Sequence, residues 1–292
     1  MDWREAQRTG GPTFRFAPSP NGHLHLGNAY SALLNDRLAR QAGGRFLLRF
    51  EDIDEERCGT AYESVIEADL SWLGLAWETP VRRQSARFAD YGIMLDSLVG
   101  RSLAYPCFCT RGMIREATRG TRVTDPDGAP LYPGTCRSLS AAERCRRLAS
   151  PGKRDWRLDM TAALRAVDAP LDWEEIDPDS GASRRIAAEP AAWGDAVIAR
   201  NATPASYHLC VVVDDADQGV TDVVRGHDLL PATSLHRLLQ QLLDLPAPRY
   251  RHHRLILDEA GHKLSKSRGA PSLRDLRHAG IEAATVKRRL GF

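Results

Sequence analysis

Apolar and polar positions along the chain fall first into a short alternating run and then into helical spacing. Residues 13–17, Thr13-Phe14-Arg15-Phe16-Ala17, alternate and predict a strand. Pro18-Ser19-Pro20-Asn21-Gly22 is a turn by composition. Leu26, Ala29, Leu33, Leu34 and Leu38 then recur with helical periodicity up to Gly43-Gly44 and predict a helix. Residues 45–50 predict a second strand and residues 62–73 a second amphipathic helix. Strand, loop, helix, strand, helix is the opening of a parallel α/β sheet.

The texture changes over residues 101–192. A Cys-x-Cys pair, a polar Gly/Pro/Asp-rich stretch at 121–134 and several Trp and acidic residues predict an insertion with its own small fold. From 206 the α/β pattern resumes. The β-branched run 206–213 predicts a strand, 219–224 another, and 233–243 a helix capped by Thr233 or Ser234. Residues 255–257 and a Lys-rich loop lead to a final basic helix. The expected division is 12–100, an insertion at 101–192, then 193–245, and a C-terminal segment at 246–292.

Composition narrows the class. The 292 residues are 42% hydrophobic and 27% charged, with 40 Lys+Arg against 38 Asp+Glu. That is a soluble globular chain with one large or two modest domains, and its apolar content and low net charge disfavour disorder. No apolar stretch approaches the ~18–20 residues of a spanning helix, and the first residues lack a signal-peptide layout. A cytoplasmic protein with no membrane partner is expected. Residues 246–292 hold 11 Lys/Arg and 4 Asp/Glu, so 11 − 4 = +7, and the other 245 residues carry 2 − 7 = −5. A basic tail on a mildly acidic body permits a polyanionic partner.

Three constellations carry chemistry. In the first, the turn before the first helix leads into His23-Leu24-His25-Leu26-Gly27-Asn28. Backbone N–H groups at a helix start form an anion site, His25 adds a donor suited to phosphate, and Gly27 allows close approach; His23 is the alternative donor. The second is Lys263-Leu264-Ser265-Lys266-Ser267, a Gly-flanked loop whose two lysines suit a triphosphate during displacement. The third is Cys107-Phe108-Cys109 with Tyr132-Pro133-Gly134-Thr135-Cys136, three soft ligands for Zn2+ that need a fourth. Arg15 and Arg225 stand at strand ends, where ligands of open α/β sheets bind, and a guanidinium fork suits carboxylates.

The first two constellations together resemble the HIGH and KMSKS signatures of class I aminoacyl-tRNA synthetases, here His25-Leu26-Gly27-Asn28 and Lys263–Ser267. Asn28 replaces the last His and Leu264 the Met. Arg15–Gly22, Arg49–Asp54, Val211–Asp215 and Val224–Asp228 resemble the glutamyl branch, over residues 12–270. The resemblance implies a Rossmann-type, doubly wound parallel sheet, split by the zinc-containing insertion and followed by a short helical segment bearing the KMSKS-like loop. It implies that Arg15, Phe16, Ala17, Pro18, Ser19, Glu51, Tyr207 and Arg225 line a glutamate site. Glu51 would hold the ammonium, and Arg225, with Arg15 or Tyr207, the side-chain carboxylate. ATP would meet His25, Gly27, Asn28 and Lys266, with Mg2+ on the triphosphate, and His25, Lys263 and Lys266 would serve catalysis. A structural Zn2+ would take Cys107, Cys109, Cys136 and the oxygen of Tyr132, with Cys145 as rival fourth ligand.

Twenty-five residues follow Ser267, where discriminating glutamyl-tRNA synthetases carry a helical anticodon-reading domain. The chain therefore resembles the paralogues that activate glutamate and attach it to the cyclopentenediol of queuosine in the anticodon arm of tRNA(Asp). A monomer using ATP, L-glutamate and that RNA is expected. The rival readings are a minimal synthetase charging a tRNA 3′ end, a small-molecule nucleotidyltransferase, and a non-catalytic zinc- and RNA-binding module.

Overall fold

A computed structural model describes residues 11–152, 154–200, 205–257, 264 and 271–292. The strands are β1 (Thr13–Phe16), β2 (Arg45–Phe50), β3 (Glu78–Arg83), β4 (Ala104–Cys107), β5 (Asp155–Leu158), β6 (Asp172–Ile176), β7 (Ser183–Ala187), β8 (Val197–Ala199), β9 (Asp222–Gly226) and β10 (Arg249–His253). The helices are α1 (Leu26–Gln41), α2 (Thr60–Trp72), α3 (Phe88–Gly100), α4 (Arg111–Ala117), α5 (Ala141–Ala149), α6 (Met160–Arg165), α7 (Tyr207–Asp217), α8 (Leu230–Leu242), α9 (Leu273–His278) and α10 (Ala283–Leu290).

A seven-stranded sheet runs in the order β3-β2-β1-β9-β10-β6-β7, parallel except for the last pair. The chain winds outward from β1 through β2 in one direction and returns to start the other half at β9. The crevice beyond the C-terminal ends of β1 and β9 is therefore a topological switch point, where this architecture binds ligands. The sheet is Rossmann-like, as the motifs imply.

Strand alternation explains how the sheet is covered. On β1 and β2, Phe14, Phe16, Phe46, Leu48 and Phe50 pack with Leu33, Leu34, Ile66 and Leu70 of α1 and α2. The interleaved positions Arg15, Leu47 and Arg49 face the other way, where Leu47 meets Val223 and Tyr250. Two of those three inward positions are arginines, and their partners come from α7.

The sequence pattern and the structure part company in four places. Residues 206–213, expected as a strand, lie at the start of α7, in which every residue from Leu209 to Ala216 is buried. The β preference of three valines is worth under ~1 kcal/mol each and is outweighed by burial on nearly every face. The helix expected from 233 begins at Leu230 with Pro231 in its first turn, and no side chain caps it. Thr233 and Ser234 are inside it and bond elsewhere. The C-terminal segment forms two helices, α9 and α10, rather than one. Finally, residues 101–192 serve both sheets. β4 and β5 join β8 in a separate three-stranded antiparallel sheet, whereas β6 and β7 extend the large one.

Candidate functional site

A cavity of about 600 Å3 opens at the switch point, lined from β1 and its turn, the start of α1, the end of β2, α7, and the β9 and β10 ends. Arg15, Phe16, Ala17, Pro18, Ser19, His25, Gly27, Asn28, Glu51, Tyr207 and Arg225 all line it. Residues from 15 to 225 in sequence thus meet in one place. Lys263 and Lys266 lie outside the described residues; Leu264 between them also lines the cavity.

His25 is the N-cap of α1. Its Nδ1 accepts from the main-chain N–H of Gly27 (3.1 Å) and Asn28 (3.3 Å), and Asn28 Oδ1 accepts from His25 N (3.1 Å). The two amides expected as an anion site are thus taken up by the cap. A nitrogen that accepts two N–H bonds carries no proton, so the ring N–H is at Nε2. Gly27 is explained by the same ring: a Cβ there would stand 2.9 Å from His25 Cε1. Asn28, standing where HIGH has its last His, completes a reciprocal cap. His23 instead lies edge-on to Tyr62 and near Arg274.

The arginines differ in how their charge is met. Arg15 Nε lies 3.0 Å from Asp215 Oδ1, and the fully buried Arg49 reaches the same oxygen at 2.8 Å. Burial opposes ionisation of Asp215, but Arg15 and Arg49 hold its pKa below the ordinary value. Asp214 receives Arg82 (3.1 Å), Gln84 (2.8 Å) and the Tyr91 hydroxyl (2.9 Å). These adjacent aspartates, which close the Val211–Asp215 segment just after the run expected as a strand, lie on the helix and turn toward the arginines. Asp52 bonds Ser85 and Asp54 pairs with Arg57, away from Arg49.

Arg225, equally buried, meets only neutral groups among the described residues. Its Nε donates to His252 Nε2 (3.1 Å), and NH2 donates to Thr233 Oγ1 (2.8 Å). Its NH1 donates to His236 Nδ1 (3.2 Å) and Tyr207 OH (3.4 Å). A desolvated guanidinium with no carboxylate beside it is a receptor for an anion. Sequence reasoning missed Thr233, His236 and His252, which no local motif singles out. Across the cavity, burial raises the Glu51 pKa to about 7, against the pull of Arg49 and Arg15. One cation and one carboxylate therefore stand ready in the same pocket.

A second cavity of about 600 Å3 shares Ser19, Asn21, Glu51 and Tyr207 with the first and continues to Asp54, Arg57, Gln84, Arg200 and Ser206.

In the small sheet, the ligand atoms of Cys107, Cys109 and Cys136 lie within 4.8 Å of one another, all three residues buried. The Tyr132 hydroxyl is 3.4 Å from Cys109 Sγ and accepts from Cys136 N at 2.8 Å. Phe108 N donates to Cys136 Sγ (3.4 Å), and the Arg157 guanidinium lies 3.9 Å over the Tyr132 ring; burial and the neighbouring thiols push the Tyr132 hydroxyl pKa up. Three thiols and one phenol converging this tightly suit a tetrahedral soft metal. Cys145 is exposed on α5, outside the cluster.

Residues 13–284 match the catalytic-domain family of class I tRNA synthetases (E and Q). A protein of Rhodobacter capsulatus named glutamyl-Q tRNA(Asp) synthetase is 43% identical over 288 residues, 95% of this chain and 99% of that protein. A protein of Alkalilimnicola ehrlichii named glutamate--tRNA ligase 2 is 40% identical, over 91% of this chain but 55% of its own length. The solved glutamate tRNA ligase from Elizabethkingia meningosepticum, in complex with its amino acid, superposes with a TM-score of 0.72 at 28% identity. It is matched over 92% of this chain and 53% of its own, so the chain spans about half of that protein.

Proposed function

This chain belongs to the class I tRNA synthetase (E and Q) catalytic-domain family, and on that premise we propose that it activates L-glutamate with ATP and transfers it to queuosine in the anticodon arm of tRNA(Asp). The observation that carries the amino acid is the pair of opposed charges in the switch-point cavity. Among the described residues Arg225 is a buried cation without a carboxylate, and Glu51 is a largely enclosed carboxylate on the cavity wall, 3.7 Å from Arg49 NH2. The similarity that runs through 99% of the Rhodobacter capsulatus protein supports the acceptor.

In this reading the side-chain carboxylate of glutamate lies on Arg225 and Tyr207, and its ammonium lies on Glu51. Arg15 shares Asp215 with Arg49 and shapes the wall rather than offering a full charge. An α-carboxylate oxygen attacks the α-phosphorus of ATP, forming glutamyl-adenylate and releasing pyrophosphate. The carboxylate is itself the nucleophile, so catalysis consists of positioning and charge stabilisation. The Nε2–H of His25 serves the phosphates, and Lys263 and Lys266 are given the same role from their sequence motif. Mg2+ enters with ATP and offsets the triphosphate charge. The acceptor nucleoside comes through the second cavity, whose wall of Ser19, Glu51 and Tyr207 is common to both. A ring hydroxyl then attacks the mixed anhydride, and AMP departs with the electron pair of the broken bond. Zn2+, held by Cys107, Cys109, Cys136 and Tyr132, fixes the fold of the small sheet.

The test is glutamate-dependent ATP–pyrophosphate exchange without RNA, followed by glutamylation of tRNA(Asp) with and without queuosine. Exchange without RNA and transfer only to the queuosine-bearing RNA are expected. Exchange that requires tRNA(Glu), with charging of its 3′ end, would establish a minimal synthetase instead.

A further inference from the structure

The neutral cradle of Arg225 has an anchor one residue further out. Arginine only donates, so each nitrogen facing it must present a lone pair. His252 Nε2 faces Arg225 Nε, and its proton is therefore on Nδ1, which lies 2.9 Å from Glu175 Oε2. Glu175 also accepts the His252 main-chain N–H on Oε1 (2.9 Å) and the Trp173 indole N–H on Oε2 (2.9 Å). The register of three neighbouring parallel strands builds this row. Arg225 on β9 is paired with His252 on β10, and Glu175 on β6 is paired with Tyr250, two residues before His252. His236 repeats the logic on the opposite side, its Nδ1 toward Arg225 and its Nε2 3.1 Å from His208 Nδ1.

We propose that Glu175 is a positioning residue for recognition of the amino acid's side chain. It pins the His252 proton on Nδ1, and so presents a lone pair that orients Arg225 without cancelling its charge. Asp215 does the reverse for Arg15, meeting that guanidinium directly. An arginine held only by neutral acceptors keeps its charge for the ligand, so the pocket takes a side-chain carboxylate and rejects the carboxamide, whose NH2 would face N–H donors. The inference deepens the glutamate reading and rests on it.

Glu175→Gln tests it. The amide has one acceptor oxygen where three donors converge, and its NH2 drives the His252 proton to Nε2, against Arg225. In ATP–pyrophosphate exchange, the glutamate KM is expected to rise about tenfold, with kcat and the ATP KM within about twofold. Preference for glutamate over glutamine falls by a similar factor. In a His252→Gln background, whose side chain carries its own acceptor oxygen, adding Glu175→Gln changes the glutamate KM by less than about twofold. 15N NMR of the unsubstituted protein places the His252 proton on Nδ1, and of Glu175→Gln on Nε2. An unchanged glutamate KM in the folded variant overturns the proposal. So does a parallel rise in the ATP KM, which a purely structural role would give, or an Nε2 proton in the unsubstituted protein. If that protein shows no glutamate-dependent exchange, the glutamate reading falls and the proposal with it. The His252 spectrum then still reports whether the cradle is built as described.

Discussion

Glu51 sets the pH response of the pocket. Burial raises its pKa to about 7, so the carboxylate that meets an ammonium exists above that pH and is lost as pH falls through it. kcat/KM for glutamate in pyrophosphate exchange, which reports the free enzyme, should fall below pH ~7, approaching tenfold per unit. A profile flat from pH 8 to 5.5 would remove Glu51 from substrate binding. Asp215 illustrates a different residue-scale effect. Asp215→Asn leaves Arg15 and Arg49 without their shared carboxylate, and breaking a buried pair from one side costs about 3–5 kcal/mol. Denaturant unfolding should show that loss, and exchange should drop with it. Gly27→Ala is gentler on the fold but displaces the His25 ring it would strike; exchange should weaken through kcat more than through the glutamate KM.

At the scale of elements, α9 docks against the turn that opens α1. Leu273 N donates to Leu24 O (2.8 Å), and Arg277 reaches the fully buried Asp69 side chain of α2 at 3.2 Å. This helix follows the Lys-rich segment in sequence and packs against the turn that carries His25 into α1. Arg277→Ala removes the ion-pair partner of the buried Asp69. A loss of about 2 kcal/mol is expected, below the range for fully buried pairs because Arg277 is partly exposed; thermal unfolding with exchange measured in parallel would show it. The proposed zinc site would give the three-stranded sheet the same kind of local dependence. Metal analysis should find one zinc per chain. Chelation or Cys136→Ser should lower the protection of β4 and β5 amides from hydrogen exchange while β1 and β9 stay protected.

For the whole molecule, the +7 of residues 246–292 includes Lys263 and Lys266, assigned above to ATP, and its other cations are expected to bear on the RNA step. Phosphate contacts release counterions, so raising KCl from about 50 to about 200 mM should reduce tRNA glutamylation by tenfold or more while exchange stays within about twofold. Equal sensitivity of the two reactions would mean that the basic tail does not meet RNA.

The sequence by itself determined the elements whose local signals agree: the alternation of β1, the spacing of α1 and the six residues of β2. Its motifs, through their resemblance to the glutamyl branch, also pointed to Arg15, Ser19, His25, Glu51, Tyr207 and Arg225, all of which line the cavity, although only Arg15 and Arg225 were legible from placement at strand ends. The thiol cluster was legible because soft ligands at short spacing have few other uses. Tertiary structure alone decided the rest. Val211, Val212 and Val213 prefer a strand locally, and only burial on all sides makes them a helix that turns Asp214 and Asp215 toward the arginines. Thr233 has the composition of a cap, and only the approach of Arg225 gives its hydroxyl another task. Glu175, His252 and Arg225 are far apart along the chain and share no motif. Their row exists because three strands align in register, and hydrogen bonding between strands is a property of the folded sheet that no single segment encodes.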